Sequence, residues 1–159
     1  MATLDNSVRI EPGNSSDLDS VMAVMETAFG NRFGEAWTRS QLSGILPMAG
    51  VALTLARDPD SRETVGFSLC RTVADESELL LIAVQPERHG SGIGRTLLES
   101  FFDAARNDGV ARVHLEVRDG NPAIAMYRAA GFSPVGRRRN YYLGVDGERF
   151  DAITLAHHL

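Results

Sequence analysis

ELLLIAVQPERHGSGIGRTLL, residues 78 to 98, passes from an apolar run through a proline and a loop holding Gly90, Gly92 and Gly94 into residues at helical spacing. Leu79 to Val84 is too continuously apolar for an edge strand, so the centre of a sheet covered on both faces is expected. Ile93, Leu97, Leu98, Phe101, Phe102 and Ala105 mark one helix face, which Asp108-Gly109 stop. A strand entering a helix through alternating glycines leaves several backbone N–H groups unpaired at the helix start, where the macrodipole favours negative charge. The segment reads as a phosphate cradle.

Spacing separates the kinds of phosphate loop. A Walker A loop ending at Gly94-Arg95-Thr96 has His89 where its first glycine belongs and arginine where it needs lysine. A dinucleotide fingerprint starting at Gly90 or Gly92 needs glycine at position 95 or 97, and Arg95 and Leu97 stand there. A glycine-rich turn that merely joins strand to helix remains the plain alternative.

Outward from this unit, Val8 to Glu11 is a strand candidate closed by Pro12-Gly13. Ser16 with Asp19 three residues on resembles a capping box for a helix through Phe29, and Thr38 with Gln41 repeats the device before Leu42, Ile45 and Leu46. Residues 30 to 37, with Phe33 and Trp37, connect the two helices. Val51 to Arg57 and Thr64 to Arg71 form a hairpin across Asp58-Pro59-Asp60-Ser61. Ala111 to Val117 alternates, with Val113, Leu115 and Val117 on one side and His114, Glu116 and Arg118 on the other. Pro122 suits the first turn of a helix ending at Gly131. Phe132 to Tyr142 and Phe150 to Ala156 are two last strands, joined across Val145-Asp146-Gly147. The resulting order is βααβββαβαββ, an α/β (α+β) arrangement of one mixed sheet flanked by helices.

At 159 residues and 43% hydrophobic content, the chain is expected to form one domain over residues 1–159. A formal charge of −5 argues against a general binder of nucleic acid or anionic membrane and suits a basic macromolecular partner. MATLDNSVRI holds neither a leader's basic and apolar regions nor a run long enough to span a membrane, so a cytoplasmic location is the default expectation. Cys70, the only cysteine, reads as a buried structural thiol. The histidines, His89, His114 and the pair His157-His158, have no ligand spacing to acids, so no metal is expected.

The stretch His89-Gly90-Ser91-Gly92-Ile93-Gly94 resembles the pyrophosphate loop [QR]-x-x-G-x-[GA] of the GCN5-related N-acetyltransferases, with His89 in place of glutamine or arginine. Leu115-Glu116-Val117-Arg118, Asn121, Ala125-Met126-Tyr127 and Gly131-Phe132 are similar to that family's next motif. Arg138-Arg139-Asn140-Tyr141-Tyr142 and Asp151-Ala152 resemble the tail of one branch, the ribosomal-protein alanine N-acetyltransferases. The likeness is dense from Glu78 to Leu155. The loop between Glu116 and Tyr127 is a residue shorter than in that branch, leaving Gly120 and Asn121 as alternatives for the family's asparagine.

The resemblance implies the GNAT fold and acetyl-CoA as donor. His89 to Arg95 and Asn121 would hold its head, and the backbone of Ile82, Ala83 and Val84 its pantetheine arm. It further implies that Glu116 is the general base and Tyr127 the general acid, with Glu78 and His114 as rival bases. Tyr141 and Tyr142 would hold the acceptor, a protein N-terminus and most naturally the alanine of a ribosomal protein. Arg137 to Arg139 sit on an alternating strand and cannot all face one way, so an ion-paired, solvated face is expected rather than a nucleic-acid patch. A monomer or weak dimer is expected. The competing readings are an enzyme acting on a small amine, a lysine or an antibiotic, and a module that binds acyl-CoA without turnover.

Overall fold

The computed structural model describes residues 8–159; Met1 to Ser7, which include the start of the expected domain and most of the stretch tested for a leader, lie outside the described residues. The elements are β1 (Arg9–Gly13), α1 (Leu18–Phe29), α2 (Arg39–Ile45), β2 (Val51–Arg57), β3 (Thr64–Val73), β4 (Glu76–Val84), α3 (Ile93–Asn107), β5 (Arg112–Arg118), α4 (Ala123–Ala129), β6 (Ser133–Leu143) and β7 (Arg149–His158). Their order is the one expected from the sequence. The strands form a seven-stranded sheet in the order β1-β2-β3-β4-β5-β7-β6. β4 and β5 are parallel, joined by the right length of crossover through α3, and every other neighbouring pair is antiparallel.

Each face of the sheet carries its own apolar layer. Leu98, Phe101 and Phe102 of α3 and Tyr127 of α4 pack with Leu79, Val113, Leu115 and Val117. On the other face, Val21, Val24 and Met25 of α1 and Leu42 of α2 cover Leu53, Leu55, Phe67, Leu69, Leu81 and Ala83. β4 is buried on both sides, which is why it reads as a continuous apolar run.

Two local features differ from the expectation. The first capping box is Asn14 with Asp17, not Ser16 with Asp19: Asn14 Oδ1 accepts from Ser16 N at 2.9 Å and the Asp17 carboxylate accepts from Asn14 N at 2.9 Å. A 3-10 turn, Ser15–Asp17, stands between this cap and α1, so the capping residues precede the helix by one more turn. The Thr38–Gln41 box forms as expected.

The second is a bulge. Leu69 pairs with Leu81 but Cys70 pairs with Leu79, leaving Leu80 as an extra residue in β4. Leu80 and Leu81 consequently pack into the same layer although adjacent in sequence. Beyond the bulge β4 leaves β5: their ladder runs from Glu76↔Arg112 to Leu79↔Leu115 and stops. The strands part there, and the remainder of β4 offers an unpaired edge.

Phe67 sits at the centre of the α1 layer with no exposed surface. Phe67→Ala is expected to destabilise the fold by about 3–5 kcal/mol, read as a lower urea midpoint at unchanged slope.

Candidate active site

The parting of β4 and β5 opens a cleft of about 750 Å³. At one end lie Ile82, Ala83, Val84 and the glycine loop; at the other lie Glu116, Tyr127, Tyr141, Tyr142 and the connection between α1 and α2.

The loop end is built from backbone. Gly90 and Gly92 have φ of +79° and +87°, in the left-handed region that glycine adopts without strain, and Gly92 is the N-cap of α3. Thr96 N is the first amide of α3 to find a carbonyl, that of Gly92 at 3.0 Å. The amides of Gly92, Ile93, Gly94 and Arg95 have no partner among the described residues and lie at the positive end of a fifteen-residue helix. A Cβ on Gly94 would come within 3.3 Å of Met126 Sδ, so glycine also lets α4 approach.

Two residues of the expected cofactor loop are bonded within the protein. Ser91 does not line the cleft: its hydroxyl donates to the Arg88 carbonyl and its amide to the same oxygen at 3.4 Å. His89 turns its Nε2 to the Val84 carbonyl at 3.0 Å, so it ties the loop to the end of β4 and occupies one backbone group assigned to a ligand. The loop is propped from behind by the β2–β3 hairpin. Asp58 accepts from the Ser61 and Asp60 amides and from Arg88 Nη2 at 2.8 Å, and these bonds, Ser61's first, hold its carboxyl at about 2. Arg95 lines the cleft while its Nε reaches Glu99 at 3.1 Å.

At the other end, Glu116 comes from the α1 face of β5 and Tyr127 from α4 on the opposite face. The Glu116 carboxylate meets Arg138 Nε at 2.7 Å and accepts from Thr154 Oγ1 at 3.2 Å. Tyr127 is 5% exposed, and burial, reinforced by Tyr142 and Glu35, pushes its phenol above the ordinary range, so it is held protonated. Its hydroxyl has no partner among the described residues, which makes it a free donor facing the cleft. Tyr141 and Tyr142 both line the cleft with ring centroids 4.9 Å apart. Strict alternation would send them to opposite faces, but a register shift between Arg138 and Tyr142, with Asn140 at φ +55°, turns them together. Burial, then Tyr141 and Glu35, also raises the Tyr142 phenol.

The rival bases separate. Glu78 lines the cleft, whereas His114 does not; His114 Nε2 stands 3.7 Å from Glu78 Oε2. Arg137 pairs with Asp119 and Asp151 and Arg138 with Glu116, giving the ion-paired face expected of this basic run.

Asn121 lines the cleft and is also bonded within the protein. Its Oδ1 accepts from Ala123 N at 2.8 Å, starting α4, and its Nδ2 donates to Glu35 Oε2 at 2.8 Å, so both ends of the amide are used within the protein. Gly120 has φ +90°, a conformation that glycine adopts without strain.

Glu35 was not foreseen. It lies in the α1–α2 connection, 83 residues before Arg118, whose Nε it meets at 3.1 Å. Both side chains are 10% exposed, and the Arg118 guanidinium lies 3.6 Å over the Phe33 ring. The only signal in the sequence is Arg118 itself, a strand-end cation that burial obliges to find a partner. Removing the carboxylate strands that cation. Glu35→Ala is expected to cost about 3–5 kcal/mol in urea unfolding, against less than about 0.5 kcal/mol for Arg95→Ala at an exposed pair.

Among the described residues no three His, Cys, Asp or Glu gather to hold a metal, and no helix is long and apolar enough to cross a membrane.

The model of the acetyltransferase (GNAT) family matches residues 19–132. A "[Ribosomal protein bS18]-alanine N-acetyltransferase" of Haemophilus influenzae is 37% identical over 100 residues, 63% of this chain and 68% of that protein. The Escherichia coli K12 protein of the same name is 46% identical over 91 residues, 57% of this chain and 61% of its own length. The crystal structure of the ribosomal-protein-S18-alanine N-acetyltransferase from Escherichia coli superposes with a TM-score of 0.84 at 31% identity, covering 95% of this chain and 93% of that one. Arabidopsis thaliana NAA60 in complex with acetyl-CoA shares the fold, with a TM-score of 0.80 at 20% identity over 96% of this chain and 99% of that one. The chain belongs to the acetyltransferase (GNAT) family.

Proposed function

We propose that the chain, acting over residues 1–159 as one domain, transfers an acetyl group from acetyl-CoA to the α-amine of a protein N-terminus, the alanine of a ribosomal protein such as its relatives' names specify. The observation that carries the catalytic reading is one cleft with unpartnered helix-start amides at one end and Glu116 with Tyr127 at the other. The acceptor reading rests on those names together with the paired tyrosines.

The residues present fit acetyl-CoA. The amides of Gly92 to Arg95 suit a diphosphate, and the open edge of β4 at Ile82 and Ala83 suits an extended chain of amides. Val84 contributes less than expected because His89 holds its carbonyl. When bound, the donor supplies an activated acyl group on sulfur.

The chain's own groups do the rest. An α-ammonium has no lone pair, and its pKa near 8 means that a carboxylate in contact, or one water away, suffices to take its proton. Glu116 takes that role, with Thr154 fixing the orientation of the carboxylate. As the new C–N bond forms and the C–S bond breaks, the departing sulfur needs a proton, which the Tyr127 hydroxyl can give. Its buried, protonated state makes it a donor across the whole neutral range. We place this activity in the cytoplasm, on protein rather than nucleic acid or membrane, with the enzyme as a monomer or weak dimer.

Gly92→Val adds a side chain where φ is +87°, distorting the seat of the diphosphate while leaving the core untouched. Coenzyme A affinity is expected to fall by about tenfold or more in calorimetry, with the circular dichroism spectrum unchanged. Unchanged affinity would remove the loop from the site.

Glu116→Gln is expected to lower kcat by about 10²-fold or more at neutral pH, with partial recovery at high pH as the amine deprotonates unaided, and with acetyl-CoA binding preserved. The same assay tests the acceptor. A peptide beginning with alanine should be acetylated much faster than its N-blocked counterpart bearing a free lysine, because tyrosine hydroxyls that meet peptide groups are left unpaired by a lysine side chain. Comparable rates on lysine or simple amines would replace the N-terminal reading with a small-amine one.

A further inference from the structure

The Glu116–Arg138 pair joins unequal partners. The Glu116 side chain is 13% exposed and that of Arg138 is 63% exposed. Thr154 Oγ1 holds Glu116 Oε2 from β7, while Arg138 Nε reaches Oε1 from the edge strand β6. The backbone that carries Arg138 is pinned on both sides. Arg137 is bound to Asp119 and Asp151 at 2.8 and 2.9 Å, and Asn140 N donates to Asp151 Oδ1 at 3.0 Å. The guanidinium can therefore leave the carboxylate by rotating about its own side chain, without moving β6.

Arg138 is mostly in water, so the pair is screened on that side, and exchange for another cation of equal charge keeps the carboxylate compensated. Among the described residues Arg138 is the cation paired with Glu116. Arg118 is committed to Glu35, His114 stands against Glu78, and Tyr142 is held neutral. The cation that must reach Glu116 during the reaction is the acceptor's α-ammonium.

We propose that Arg138 is a place-holding cation: it neutralises Glu116 in the free enzyme and is displaced by the ammonium of the incoming N-terminus. The proposal rests on Glu116 being the base. It adds a selection rule to that reading. The carboxylate gives up Arg138 only to a group that brings its own positive charge into the same place, so an acceptor-shaped peptide without an ammonium leaves the arginine in position. Thr154 keeps the carboxylate aimed while the partners change, and the released guanidinium stays at the rim beside Tyr141, 5.7 Å from its ring centroid. Arg138 is thus a positioning and specificity residue that never touches the acyl group.

The test is an affinity ratio. A hexapeptide beginning with alanine and its des-amino counterpart, with propionyl in place of alanyl, are titrated by calorimetry into enzyme saturated with coenzyme A. In the native enzyme the amine exchanges one cation for another, and the preference for it is small. Arg138→Ala leaves Glu116 uncompensated and is expected to raise that preference about fivefold, while Arg138→Lys keeps the native ratio. Adding Glu116→Gln to Arg138→Ala should abolish the gain. An Arg138→Ala ratio equal to the native one, with Glu116→Gln catalytically impaired, overturns the proposal and leaves the base in place. Normal turnover in Glu116→Gln overturns both.

Discussion

Parallel strands that stop pairing partway along their length leave main-chain donors and acceptors without partners, and a protein must either bury that edge or use it. Here the ladder between β4 and β5 ends at Leu79↔Leu115, one residue before the bulge at Leu80. The bulge turns β4 away from β5, and α3 and α1 cover its two faces but not its edge. The cleft depends on this divergence. A fully zipped pair would close the gap through which Glu116, on one face of β5, and Tyr127, below the other, address the same space. Glu116 and Tyr127 thus reach one cleft from opposite sides of the sheet, an arrangement no single helix or strand could supply.

The second constraint is the burial of charge. Arg118 ends β5 with its guanidinium among apolar walls, and a cation there is tolerable only with a fixed anion and full hydrogen bonding. Glu35 supplies the anion, Phe33 the ring beneath it, and Asn121 the donor that satisfies the second carboxylate oxygen. The same contacts anchor the α1–α2 connection to the strand carrying Glu116 and to the start of the helix carrying Tyr127. The connection is also clamped from the β6–β7 side: a Cβ on Gly34 would lie 2.1 Å from the Leu143 carbonyl oxygen, and one on Gly144 2.3 Å from that of Arg32. This wall of the cleft is therefore tied to the sheet by a charge pair between segments far apart in the chain.

How much of this was legible follows from range. The order of elements, the central strand, the glycine-rich entry to α3 and the pairing of basic residues on β6 all depend on patterns within a few residues, and the structure shows each of them. The Glu35–Arg118 pair joins residues 83 apart with no periodic signal, so nothing local announced it. Asn121 and His89 line the cleft, and their side chains also start α4 and fasten the loop to Val84, bonds that matching by position does not announce. The bulges were invisible for a related reason. A strand read by alternation assumes one residue per pleat, and Leu80 and Asn140 each break that rhythm where the cleft needs side chains aimed together.

The two ends of the cleft solve the same electrostatic problem differently. At the glycine loop, positive potential is spread over backbone amides that cannot move, which suits a large anion bound the same way in every turnover. At Glu116 the negative charge is matched by a guanidinium on a flexible stem, which suits a partner that can be exchanged. Had the permanent partner been buried like Arg118, the carboxylate would be locked to it as Glu35 is. Had there been none, the empty cleft would hold an uncompensated charge at a partly dry wall. An exposed arginine on an edge strand satisfies both requirements, and edge strands are where such side chains find room to swing.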